Sequence, residues 1–338
     1  MPRTDHQMVP RLDVEYWHGI HLVDSVLWLD APRAADLCFI SNARAVKRSG
    51  RARILTTEAS ARLAGPALES SRTLLSPTLR RFTLGGLDLE LLPAGHLLGS
   101  AQLRVRRAGE RLVYTGPIDL EPGLTRPAGR IARCDVLVLA CGPVRPGDRW
   151  PDRSRQRAAL VDWVERVLAA GGVPVLLAEP LGAAQEVAAL LGRRGLRLRV
   201  HRRAYQHCRT FHALGVDLPG VRVFRGTPGR DEVCLFPPQL ARSRAIDRLS
   251  RARIGLVGPA ELAPAAARAK AERVFGLSDW ADHPALERIA RDSRARRIHL
   301  VGRHPAALAE ALRAQGLVAW PLRPPEQLRL FESEPPAS

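Results

Sequence analysis

Leu87-Asp88-Leu89-Glu90-Leu91-Leu92-Pro93-Ala94-Gly95-His96-Leu97-Leu98-Gly99-Ser100-Ala101-Gln102 decides the reading of this chain. Leucine alternates with an acid from Leu87 to Leu91, the period-two pattern of a strand with one face in a core. The strand runs into Pro93-Ala94-Gly95-His96, a glycine turn follows, and a second alternating strand starts at Gln102 and runs to Arg106. His96 therefore stands in a turn between two strands.

Outward from that stretch, Arg81 to Asp119 reads as antiparallel strands with turns at Gly85-Gly86, Ala108-Gly109 and Gly116-Pro117. Asp135 to Ala140 is continuously apolar, the pattern of a strand buried on both faces. Toward the amino terminus, residues 1–30 read as short strands with Trp17 and Trp28. Asp36 to Ser41 is a short apolar strand, and Arg51 to Leu63 a strand then a helix capped near Thr57. Beyond the polar loop Arg145 to Arg155, a helix runs to Leu168, followed by strand Val173 to Leu177, helix Gly182 to Leu191 and strand Leu196 to Val200. That alternation predicts a small α/β layer with parallel strands, inserted over residues 156–270. A helix near Pro284 to Arg291, strand Arg297 to Val301 and helix Pro305 to Gln315 then return the chain, and residues 321–338 form a Pro- and Glu-rich extended tail. No internal repeat is visible.

The 338 residues, 46% of them hydrophobic, suffice for one large or two ordinary domains with a real core. No apolar run approaches the roughly 20 residues of a membrane span, and the first residues lack a signal-peptide core. Five scattered cysteines without a C-x-x-C pair predict reduced, buried thiols in a cytoplasmic protein. The formal charge is +18, from 52 basic and 34 acidic residues, and only Lys47 and Lys270 are lysines. A GC-rich genome accounts for arginine in place of lysine but not for the surplus itself, which points to nucleic-acid phosphates.

Pro93 to Ala101 resembles the P-A-G-H-x-x-G-S-A segment of metallo-β-lactamase-fold nucleases, in particular the ligase-associated DNA exonucleases of the β-CASP group. Val200 to Tyr205 and Ala213 to Pro219 follow in the family's order. The resemblance implies an αββα metallo-β-lactamase-like sandwich, its first segment at residues 1–155. A β-CASP-like α/β subdomain is then inserted at 156–270, and the sandwich is completed by 271–320.

In that family the histidine is one ligand of a two-metal site. The loop T-H-x-H-x-D-H, which supplies the first ligands, corresponds here to Ser41 to Lys47, placing Asn42, Arg44, Val46 and Lys47 at the four ligand positions. Two of these are cations, which repel a divalent metal. The bridging aspartate falls on Pro117, the acid after the buried strand on Ala140, and two later histidines on Trp280 and Gly302. His96 remains, with Asp279 and Asp282 as vestiges. The resemblance thus implies a scaffold without catalytic residues, metal or other cofactor.

Three rival chemistries stand against this. A single metal could be held by His96, Asp119 and either His283 or His304. His207, Cys208 and His212 could form a second cluster, but their spacing matches no metal motif. Cys141-Gly142-Pro143 could present a nucleophile at a strand end, though no base is implied nearby. Arg44 and Lys47 either hold a phosphate in the old cleft or pair with Asp279 or Asp282. The ion pair is preferred, because an uncompensated buried cation is costly.

In the tail, Gln327-Leu328-Arg329-Leu330-Phe331 is similar to the Q-L-x-L-F peptide with which bacterial polymerases and repair proteins engage the replication sliding clamp. Leu328, Leu330 and Phe331 would enter an apolar cleft while Gln327 bonds at its rim. The expectation is therefore a catalytically inactive, nuclease-like accessory protein of DNA repair or replication. Its partners would be DNA (RNA being the alternative nucleic acid), the sliding clamp, and an active nuclease paralogue or another repair protein. It would act in the cytoplasm or at the nucleoid, with no membrane involved. The alternatives are a hydrolase with a rebuilt single-metal site at His96, and a structural subunit that does not touch nucleic acid.

Overall fold

The computed structural model describes residues 11–16, 19–32, 36–46, 53–68, 71–259 and 267–323 of a mixed α/β protein. The first sheet comprises β1 (Val14–Tyr16), β2 (Ile20–Leu22), β3 (Leu27–Leu29), β4 (Leu37–Phe39), β5 (Arg53–Thr56) and β6 (Thr73–Leu75), in chain order. Helix α1 (Glu58–Ala64) follows β5, and Thr57 caps it by accepting the Ser60 N–H at 3.2 Å. Strands β7 (Arg81–Leu84), β8 (Leu87–Pro93), β9 (Ala101–Arg107) and β10 (Glu110–Tyr114) form an antiparallel meander, and β11 (Val136–Cys141) joins β10 in parallel.

The chain then builds a separate sheet: α2 (Arg153–Ala169), β12 (Val173–Leu177), α3 (Ala183–Gly192), β13 (Arg197–Val200), α4 (Arg202–Ala213), β14 (Val221–Val223), β15 (Glu232–Phe236), α5 (Arg244–Asp247), β16 (Ala252–Gly258) and β17 (Arg273–Gly276). Its six strands are all parallel, in the order β14-β13-β15-β12-β16-β17. Finally α6 (His283–Asp292), β18 (Arg297–Gly302), α7 (Pro305–Ala314) and β19 (Ala319–Pro321) return, and β18 lies beside β11. Among the described residues, no helix is long and apolar enough to cross a membrane.

Alternation in β8 explains how the first two sheets face each other. Leu87, Leu89 and Leu91 point into one core with Leu103, Val105 and Tyr114 of the same sheet and Leu22, Leu27 and Phe39 of the first. Each such fully buried side chain contributes about 1.5–3 kcal/mol. The opposite face of the second sheet, through Leu137, Leu139 and Ile298, packs on Leu286 and Ile289 of α6 and Leu308 and Leu312 of α7. Helix α1 lies on the outer face of the first sheet. In the third sheet, Leu176, Leu198 and Leu235 pack under α2, α3 and α4. Ala43 and Leu63 of the first layers enter that same cluster, which seats the third sheet against the sandwich.

One local expectation is corrected. Gly116-Pro117 does not start another antiparallel strand: residues 115–119 cross the sheet end, where Ile118 makes an isolated bridge to Gly95. The elements around the parallel sheet run from Arg153 to Gly276, where β17 pairs with β16. Trp17 lies outside the described residues.

Candidate functional site

A cavity of about 190 Å³ lies between the sandwich and the third sheet. The loop after β4 supplies Arg44, the turn after β8 His96, the start of α3 Gly182, and the segment after β17 Asp279 and Trp280. Local hydrogen bonds aim these side chains. Asp30 accepts the Ser41 N–H at 2.7 Å and the Tyr114 hydroxyl at 2.8 Å, which anchors the loop to the core. Asn42 is buried, and its Oδ1 accepts the N–H groups of Arg44 at 2.9 Å and Ala45 at 3.2 Å. Such a side-chain turn closes the loop and turns Arg44 toward the cavity. Val46 packs on the outer face of the first sheet, and Lys47 lies outside the described residues.

Arg44 Nη1 donates to Asp279 Oδ2 at 2.8 Å, and its Nη2 donates to the Leu181 carbonyl just before α3. Of the two aspartates considered as its partner, Asp279 makes the pair. Asp282 instead caps α6 by accepting the Ala285 N–H at 3.0 Å, and also accepts the Trp150 N–H at 3.2 Å.

His96 is 1% exposed. Ser100 Oγ accepts the backbone N–H groups of His96 and Leu97, both at 3.0 Å, which fixes the turn. The ring Nδ1 lies 2.9 Å from the Asp279 carbonyl, and Nε2 lies 3.4 Å from Arg44 Nη1. A carbonyl only accepts and a guanidinium only donates, so the ring is neutral, with its proton on Nδ1. Burial pushes its pKa down to about 4; Asp279 opposes the shift and Arg44 adds to it. Burial works against the Asp279 charge too. In the acid range where that carboxyl titrates, His96 and Arg44 outweigh burial and hold it below the ordinary carboxylate range. The Trp280 ring stacks edge-on to His96 at 4.9 Å and lies over Gly142, where a Cβ would come within 2.3 Å of it.

A second charged centre stands behind the first. Asp119 Oδ2 accepts from Arg126 Nη2 at 2.7 Å and from Arg153 Nη2 at 2.6 Å. The side chains of Asp119 and Arg126 are each 4% exposed, so the pair is desolvated, and a buried carboxylate needs such compensation. Arg126 also reaches the Gly95 carbonyl, and Arg153 the Ser278 carbonyl at 3.0 Å. Together they tie both flanks of His96 to Asp119. Neither arginine was singled out from the sequence; each stands in a polar segment with no motif around it.

These donors do not suit a divalent metal pair. His96 faces a guanidinium, Asp279 is paired with it, and Asp119 is shared by two more. No three His, Cys, Asp or Glu side chains converge at metal-binding range among the described residues. The rebuilt site of His96, Asp119 and His283 or His304 is accordingly not assembled: His283 packs in α6 near Glu287 at 3.8 Å, and His304 is exposed before α7. Gly302 leaves no room for a ligand, since a Cβ would stand 2.0 Å from the Cys141 carbonyl. Ala140 is buried in the sandwich core, and Pro117 lies in the crossing segment. Burial pushes the Cys141 thiol up to about 12, which silences it as a nucleophile. Cys208 points into the core beside Gln185 while His212 of the same helix is exposed, so His207, Cys208 and His212 do not converge. Gln327, Leu328, Leu330 and Phe331 lie outside the described residues.

No family model matches the chain. It is similar to a probable DNA ligase of Opitutus terrae, at 27% identity over 330 residues, covering 96% of this chain and 32% of that protein. An uncharacterized protein of Synechocystis sp. is 38% identical over 117 residues, covering 32% of this chain and 21% of its own length. An RNase J-like protein of Methanocaldococcus jannaschii is 32% identical over 98 residues, covering 28% of this chain and 23% of its own. The chain thus spans a third or less of the length of each of these relatives.

Proposed function

We propose that this protein is a non-catalytic relative of the metallo-β-lactamase-fold, β-CASP-type nucleases that serves DNA repair or replication as a nucleic-acid-binding accessory protein. In this reading residues 1–155 and 271–320 make the metallo-β-lactamase-like sandwich and 156–270 the β-CASP-like insertion. The names of two relatives, a probable DNA ligase and an RNase J-like protein, support the nucleic-acid connection. So do the +18 charge and the P-A-G-H-x-x-G-S-A segment at residues 93–101.

One observation carries the absence of catalysis: the Arg44–Asp279 ion pair, 2.8 Å long, stands against His96 where the family's ligands would converge. A guanidinium there supplies the positive charge that a metal would, but neither activates water nor accepts a lone pair. Recruitment by a sliding clamp through Gln327 to Phe331, or pairing with an active paralogue, belongs to the same reading.

Metal analysis of the purified protein, with a nuclease assay on single- and double-stranded DNA in added Mn²⁺, tests it. The expected result is far less than one zinc or manganese per chain and intact DNA. Stoichiometric metal, with cleavage lost in His96→Ala, would establish a hydrolase instead.

A further inference from the structure

The positive charge of this protein is not spread evenly. Residues 193–230 contain ten arginines and one aspartate, so this short stretch carries half of the net +18. Composition bias alone would distribute arginine along the whole chain. Instead the surplus gathers on β13, α4 and β14, at one edge of the parallel sheet.

We infer that this edge, where the carboxyl ends of β13 and β14 meet the start of α4, is the surface on which the protein holds the phosphate backbone of DNA. The inference rests on the nucleic-acid reading above and names the surface responsible for it. Arg202, Arg203, Arg209, Arg222, Arg225 and Arg230 are all exposed, and among the described residues none pairs with a carboxylate. Arg199, by contrast, is neutralised by Glu232 at 2.7 Å. Parallel register sets Val200 beside Val223, and the Phe224 N–H donates to the Val200 carbonyl at 2.8 Å. Arg202, Arg203 and Arg225 leave the sheet immediately after these paired residues and so share one edge. Phe224 and His201 both stack on Phe236, at 4.8 and 5.8 Å, which makes the edge rigid.

Stability does not account for the arginines. Two of them occupy the first turn of α4, where the helix dipole disfavours cations. Planar guanidinium groups held on a fixed edge suit repeated bidentate phosphate contact. The edge is also joined to the cavity: α4 packs against α1, and Gln185 Nε2 ties α3 to the Ala204 carbonyl at 3.2 Å. DNA is chosen over RNA because the relative matched over 96% of this chain is named for a DNA enzyme.

The test is fluorescence anisotropy of the full chain with labelled single-stranded DNA, duplex DNA and RNA across a salt series. Arg202→Glu/Arg203→Glu/Arg225→Glu is compared with an equal charge change on α6 and its flank, Arg288→Glu/Arg291→Glu/Arg296→Glu. The expected result is a loss of at least about tenfold in DNA affinity, and a salt slope for duplex shallower by about two to three, in the first variant alone. If both variants weaken binding equally, the binding is diffuse and the surface assignment fails while the nucleic-acid reading stands. If the wild-type protein binds no DNA at low salt, the nucleic-acid reading itself fails. Tighter binding of RNA than of DNA overturns DNA as the ligand. Circular dichroism checks folding; should the triple variant misfold, Arg203→Ala and Arg225→Ala provide the same comparison singly, and an unchanged affinity and salt slope in both overturns the assignment.

Discussion

Arg44 and Asp279, 235 residues apart in the chain, meet at 2.8 Å and close the cavity between the sandwich and the third sheet. One belongs to the loop after β4, the other to the segment after β17. The contact therefore fastens the segment that leaves the parallel sheet to the first layers of the sandwich, with His96 packed beneath it.

Removing either member of that pair strands the other. Arg44→Met is expected to destabilise the fold by about 1–3 kcal/mol, the range for a hydrogen bond to a charged group in a partly exposed pair. Arg44→Met/Asp279→Asn should recover part of the loss, because no charge is left alone. Urea denaturation of both single variants and the double variant measures the coupling. Strict additivity would mean that the contact is not energetically real.

His96 makes stability depend on pH. Its proton is bound near pH 6.5 in the unfolded chain but only near pH 4 in the fold. Between those values the unfolded state holds more protons. The contribution is therefore fully present above pH 6.5 and is lost as pH falls toward 4, by about 3 kcal/mol in total. Melting temperatures recorded from pH 7 to pH 4 should fall more steeply for the wild-type protein than for His96→Gln. Identical curves would place the titration elsewhere.

Asp119 neutralises the buried Arg126 guanidinium and the half-buried one of Arg153. Asp119→Ala leaves the buried Arg126 without an anion and Arg153 with only the exposed Glu121, at 3.3 Å, and is expected to cost about 3–5 kcal/mol, the range for breaking a buried pair. Arg153→Ala should cost less, since Arg126 still holds the carboxylate. Thermal melts of the two variants decide the order; Arg153→Ala as severe as Asp119→Ala would assign the burden to Arg153.

The tail is tested by a synthetic peptide of residues 322–334, expected to bind the sliding clamp at about micromolar strength. In the full chain, Leu330→Ala/Phe331→Ala should abolish that binding and leave the melting temperature unchanged. A lowered melting temperature with no clamp binding in either form would make Leu330 and Phe331 part of the core.

Much of the fold was legible because its signals are local. Alternation in Leu87–Leu91 sets one face of β8 inward, and continuous apolarity in Val136–Cys141 marks a strand covered on both sides. The α/β alternation from Arg153 to Val200 likewise announces the parallel layer. Strands β14 to β17 are not legible in the sequence, since three- to seven-residue strands between polar loops offer too little periodicity. At the site, the sequence pointed to His96 and to cations at Arg44 and Lys47, because these stand in or near a recognisable segment. It was silent on Arg126 and Arg153, whose partner Asp119 is chosen by proximity in space.

By itself, then, the sequence determined the residue types to hand: a histidine in the turn after β8, cations at Arg44 and Lys47, and a charge surplus concentrated in residues 193–230. Only the tertiary structure decided which of them pair. Ionic partners are selected by distance and burial, and neither is encoded in local pattern. Asp279 rather than Asp282 takes Arg44 because Asp282 is spent on the α6 cap, and Asp119 is unavailable because Arg126 and Arg153 claim it.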